Sequence, residues 1–166
     1  TTVTDPNAQA PEAVAANPAT NRIYVANRES NNVTVIDGAT NQTTTVSDPN
    51  AHNLWAVAVN PVTDKIYVAN NGGGGYNDGN VTVIDGSTNT TVTVTDPNAK
   101  WPNAIAVNPV TNKIYVANEQ SNNVTVIDGA TNATTTVKDP NASGVDALAL
   151  NPATNKIYVS NINSNN

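Results

Sequence analysis

An internal repeat constrains this chain more than any other feature. Asp-Pro recurs at Asp5, Asp48, Asp96 and Asp139, and Asn-Pro begins at Asn17, Asn60, Asn108 and Asn151, both series at intervals of 43, 48 and 43 residues. Two landmarks that keep the same spacing mean that whole units are copied in register, with the five additional residues of the second unit confined to one loop. A repeated unit of this size is a supersecondary module that cannot bury its faces alone and must stack on its neighbours.

Each unit carries four short β-type runs separated by Asn, Asp, Gly and Pro clusters. In the third unit these are "AIAV" (104–107), "KIYVA" (113–117), "VTVID" (124–128) and "TTTV" (134–137), strands A to D. The links "NPVTN" and "GATNA" suit hairpins, with Pro109 fixing φ and Asp128-Gly129 expected to supply a positive φ in a tight loop. Each unit is therefore an antiparallel meander. The small Ala13, Ala15, Ala16, Ala56, Ala58, Ala104 and Ala106 suit strand A to an innermost position where units crowd an axis. Val57, Ile66, Val68, Val83 and Ile84, with their equivalents, are the residues expected to pack unit on unit. The fold class is all-β: a β-propeller of four-stranded antiparallel blades, each about 43 residues long, matching the period of such blades. The blades are placed at about 13–46, 56–94 and 104–137, with an incomplete one at 147–166, in a single domain over 1–166.

The opening "TTVTDP" matches the end of a strand D, and the closing "SNINSNN" matches the residues that precede a strand C elsewhere. The chain thus reads as a leading strand, three complete blades and a trailing strand pair. Two expectations follow: a piece of a longer repeat chain, or a homo-oligomer whose subunits complete one another's blades.

The recurring strings "NP.T..IYV.N" and "VTVIDG.TN" resemble the YVTN-type bacterial and archaeal β-propellers, the name-giving strand reading Tyr24-Val25-Ala26-Asn27 and, in the last unit, Tyr158-Val159-Ser160-Asn161. Ala or Ser stands where the family name has Thr. The resemblance implies a secreted, periplasmic or cell-surface protein with a structural or binding role, and it implies no reaction. Similar propellers also serve as domains of periplasmic redox enzymes, lyases or lactonases, which keeps an enzymatic alternative open.

Composition narrows the function classes. A formal charge of −6, from seven basic against thirteen acidic residues, lacks the basic stripe of a nucleic-acid binder. No apolar run approaches the roughly 18 residues that span a bilayer. With no Cys and a single His, neither a zinc site nor a Ser-His-Asp arrangement has enough partners, so catalytic residues, metal ligands and cofactors are all expected to be none. The Gly-rich "NGGGGYNDG" (71–79) is followed by a strand and lacks Gly-Lys-Ser/Thr, so it is no phosphate loop.

Variation between units points to one face. Links A to B and C to D barely differ, whereas links D to A read "QAPE", "HNLW", "KWPN" and "SGVD", and links B to C read "RES", "NGGGGYNDG", "EQS" and "INS". In an up-and-down meander the two variable sets emerge at the same end. Either this end contacts a partner, or its loops are merely less constrained than tight Asp-Gly turns. The candidate ligand-binding residues there are Trp55, Trp101, Tyr76, His52, Lys100 and Arg28, and the candidate partner is a glycan or a protein. The tryptophans, Tyr76 and His52 each have a plainer reading: an indole filling a gap between blades, a tyrosine in a loose loop, a solvated histidine. Glu12, Glu29, Asp78, Glu119 and Asp146 form either a solvated acidic rim or a calcium site. The recurrent Asp5, Asp37, Asp48, Asp85, Asp96, Asp128 and Asp139 are expected to serve turns. The sequons at Asn32, Asn41, Asn80, Asn89, Asn123, Asn132 and Asn141 read as a consequence of an Asn- and Thr-rich composition.

Overall fold

In the computed structural model, residues 1–72 and 79–164 are described. Three antiparallel sheets of four strands follow one another: β1 (Pro11–Asn17), β2 (Arg22–Asn27), β3 (Asn32–Asp37) and β4 (Thr43–Ser47); β5 (Leu54–Asn60), β6 (Lys65–Asn70), β7 (Asn80–Asp85) and β8 (Thr91–Val94); β9 (Pro102–Asn108), β10 (Lys113–Asn118), β11 (Asn123–Asp128) and β12 (Thr134–Val137). A fourth sheet consists of β13 (Val145–Asn151) and β14 (Lys156–Asn161). Residues 1–3 belong to none of the four sheets.

The sheets are propeller blades. Their first strands β1, β5, β9 and β13 lie side by side, as innermost strands rich in alanine should. Each blade uses its two faces against two neighbours, because successive strand side chains alternate. Tyr24, Ala26, Val33, Val35 and Val46 of the first blade pack on Ile66, Val68 and Ile84 of the second. The opposite face of the second, with Tyr67, Ala69, Val81, Val83 and Val94, packs on Ile114, Val116 and Ile127 of the third. The residues expected to stack the blades occupy these two cores, with Val57 against the first.

The constant links form a belt at one end of the strands. Asn17 Nδ2 donates to Asp64 Oδ1 at 2.7 Å, Asn60 Nδ2 to Asn112 Oδ1 at 2.9 Å, and Asn108 Nδ2 to Asn155 Oδ1 at 2.8 Å, each joining one blade to the next. Arg22 donates to the Gly86 carbonyl, and Lys65 Nζ to the Gly129 carbonyl at 2.8 Å.

One turn expectation is corrected. The positive φ of these loops belongs to Asn21, Asp64, Asn112 and Asn155 and to Asn41, Asn89 and Asn132, whereas Gly38, Gly86 and Gly129 are not among the positive-φ glycines. Asn reaches the left-handed region readily. The glycine is required for another reason: a Cβ on Gly129 would strike the side chain and carbonyl of Asn112, which accepts the Gly129 N–H at 2.9 Å.

In the three complete blades the Asp of the Asp-Pro does more than shape a turn. Asp48 Oδ1 accepts the Asn50 N–H at 3.0 Å, and its carboxylate also accepts hydroxyls from Thr82 on β7 at 2.7 Å and Thr93 on β8 at 2.9 Å. Asp96 does the same with Thr125 and Thr136, and Asp5 with Thr34 and Thr45. Burial pushes the Asp96 carboxyl up, and the hydrogen bonds from Asn98, Thr125 and Thr136 outweigh it, leaving the group below its ordinary value. The link that enters a blade is thus latched to that blade's outer two strands.

Candidate functional site

The D to A and B to C links meet at the end opposite the belt. In every unit a backbone hydrogen bond ties them: Arg28 N–H to the Ala10 carbonyl, Asn71 to Asn53, Glu119 to Trp101 and Ile162 to Gly144, at 2.9 to 3.0 Å. The acceptor residue in each pair, Ala10, Asn53, Trp101 or Gly144, has φ between 51° and 67°. Just beyond it the first strand breaks register, leaving Glu12, Trp55 and Asn103 unpaired between flanking pairs, and Asp146 within the equivalent break of the last unit. A bulge of this kind re-aims its side chain. One variable residue per blade therefore sits at the inner rim of this face, exposed in the case of Glu12, Trp55 and Asp146 and buried in the case of Asn103.

The two tryptophans occupy different positions in this arrangement. Trp55 sits inside β5 at the bulge, not in the link where the sequence puts it, while Trp101 holds the left-handed position one residue before β9. Each is 37% exposed. Arg28 stacks on Trp55 with its guanidinium carbon 5.6 Å from the ring centre, and Glu12 at 3.5 Å and Glu29 at 3.8 Å flank the same guanidinium. A Glu-Arg-Trp stack thus spans the first two blades. On the third, Asn103 Nδ2 lies 3.4 Å from Glu119 Oε2 and 3.3 Å from Asp146 Oδ1. Asn103 and Glu119 as partners were not singled out from sequence; the signal was their position, four residues after Ala99 and one after Asn118, which matches Trp55 and Arg28 in the units before.

Lys100 is exposed, and its backbone N–H donates to Ser121 Oγ at 3.0 Å. His52 is half-buried, and its carbonyl accepts the Gly72 N–H at 3.1 Å. Tyr76 and Asp78 lie outside the described residues. Among the described residues no three His, Cys, Asp or Glu side chains converge as metal ligands would, and no helix is long and apolar enough to cross a membrane. Of the sequon residues, Asn32 and Asn123 are buried and donate their amides to the Asn7 and Asn98 carbonyls.

Solved structures with the same architecture were found by comparison of folds. Hydrazine synthase of Kuenenia stuttgartiensis matches 95% of the chain at 21% identity with a TM-score of 0.79, over 44% of its own length. A nidogen/laminin complex matches 93% of the chain at 12% identity with a TM-score of 0.75, over 57% of its own length. The chain spans about half the length of these structures, and at such identities the likeness speaks for the fold alone. No protein-family model matches the chain, and no curated protein does. The class that fold and packing define is a β-propeller array of three complete blades followed by a two-stranded one.

Proposed function

We propose that this chain is a non-catalytic structural and binding module of a secreted or cell-surface propeller of the YVTN type, contacting a glycan or protein partner through its variable face. The recurring "NP.T..IYV.N" and "VTVIDG.TN" strings support the family, and the propeller blades agree with it. One observation carries the binding reading: both tryptophans of the chain are half-exposed on that face, one braced by the Arg28 stack and one held at φ 57°. Rigid, partly exposed indoles suit sugar rings and protein hot spots alike.

A glycan array followed by titration of the intrinsic fluorescence tests this reading. Trp55→Ala and Trp101→Ala are expected to abolish binding to array hits while the melting temperature moves by only a few degrees. Variants that lower stability and leave binding intact would mean the indoles serve packing alone. Elemental analysis of purified protein addresses the enzymatic alternative, and a stoichiometric bound metal would favour it.

A further inference from the structure

Three equivalent positions at the inner rim of the variable face carry different charge at two seams. Where the first blade meets the second they are Glu12, Arg28 and Trp55, and the Arg28 guanidinium answers the Glu12 carboxylate at 3.5 Å while stacking on the indole. Where the third blade meets the fourth, the repeat places Asn103, Glu119 and Asp146 at the same positions. One carboxylate thus stands where the first seam has Arg28, and a second where it has Trp55. Among the described residues no basic side chain pairs with either, the ion pairs being those of Arg28 and Lys113.

Asn103 also departs from its equivalents. It is 9% exposed, whereas Glu12, Trp55 and Asp146 are exposed at the same position of the other units. Its amide lies between the two carboxylates, with Nδ2 3.4 Å from Glu119 Oε2 and 3.3 Å from Asp146 Oδ1, both long against the usual value of about 2.9 Å. Its Oδ1 is buried and has no partner. The buried amide oxygens of Asn27, Asn70 and Asn118 share that condition, as do those of Asn89 and Asn132, but each set occupies a repeated asparagine position. Asn103 belongs to no such set. A buried oxygen without a partner beside two carboxylates without a counter-charge is a costly arrangement, and a single cation relieves all three.

We propose that Asn103, Glu119 and Asp146 form a calcium site. A half-turn of the Asn103 amide about its last side-chain bond sets Oδ1 where Nδ2 lies, replacing two long hydrogen bonds by a metal–oxygen bond. Three oxygens then converge, two of them charged. Calcium takes about six to eight oxygens in flexible geometry, so water completes its shell, whereas magnesium demands a smaller and strictly octahedral set. Three protein ligands put the dissociation constant at roughly 0.1 to 1 mM. The site fills and empties with free calcium, which sets it apart from a tightly held enzymatic metal that survives purification. It stands independently of the partner proposed for Trp55 and Trp101.

Calcium chloride titrated into the 166-residue chain by isothermal calorimetry, with the melting temperature followed in parallel, tests this site. One ion per chain is expected, with a rise in melting temperature that sodium chloride at equal ionic strength does not reproduce. Glu119→Gln and Asp146→Asn should each weaken binding about tenfold or more, because the charge count of the ligands sets the affinity. Asn103→Asp adds a third carboxylate, so it should lower the melting temperature without calcium and tighten calcium binding. Glu119→Arg copies the first seam and should abolish the calcium response. Asp146 is exposed, so Asp146→Asn keeps the fold and carries the test even where another variant does not. Absence of saturable binding, binding unchanged in Asp146→Asn, or an equal response to sodium chloride overturns the proposal.

Discussion

The seam between the second and third blades and the cleft between the third and fourth are built from the same sequence units, yet one is closed and the other open. Val81, Val83 and Val94 on the closed side are at most 6% exposed, while Val124 and Val126 are half-buried and Val137 largely exposed on the other. Inner strands are present on both sides of each. What differs is the outer pair, β11 and β12, which delivers Ile127 to the apolar core and two threonines to Asp96. Sealing a blade interface is thus the task of the outer strands, and the Asp-Pro latch is where their arrival is registered.

The largest expected effect that could break this comparison is at Ile127. It is fully buried, so Ile127→Ala should lower stability by about 3 kcal/mol in urea unfolding, against less than about 0.5 kcal/mol for Val137→Ala. Equal losses would mean the two seams are alike in energy. A second difference is in alkaline stability. Burial, with the Asp128 charge behind it, pushes the Tyr67 hydroxyl up to about 12. The native state therefore keeps a proton that the unfolded chain releases above the ordinary value of about 10. Its contribution is complete below about pH 10 and is lost as pH rises towards 12, amounting to about 2 kcal/mol. Denaturation curves across that window should fall less steeply in Tyr67→Phe.

A smaller effect separates the latches. Asp96→Ala removes the acceptor of two threonine hydroxyls and should cost about 2 kcal/mol, whereas Asp139→Ala should change stability by less than about 0.5 kcal/mol. Because the Asp96 carboxyl is held below its ordinary value, its contribution is present above about pH 4 and is lost as pH falls through the folded-state value. The smallest effect is at Trp101. Trp101→Gly relieves a left-handed backbone while giving up a half-exposed indole, so unfolding should shift by no more than about 1 kcal/mol.

Much of the architecture was legible because repetition and alternation are linear signals. The interval between Asp-Pro pairs, the Ile-Tyr-Val alternation of each second strand and the alanines of each first strand specify blades, their faces and their inner edge. The site was legible only in part. Comparing loops within the chain identifies the variable end, but it groups Trp55 with Trp101, which the bulge separates into a rim position and a left-handed corner. The constant glycines were visible while their reason was not, since the crowding of Gly129 by Asn112 depends on how one blade's two links meet.

The sequence by itself determined the unit, its four strands and which side chains face a neighbouring blade, because strand periodicity and turn chemistry are local. Tertiary structure alone decided that Asp96 reaches Thr125 and Thr136, that Asn60 of one blade reaches Asn112 of the next, and that Asp139 stands over an open cleft. Those contacts join residues about 30 to 50 positions apart in the chain, and only packing blade against blade brings their polar atoms within hydrogen-bonding distance.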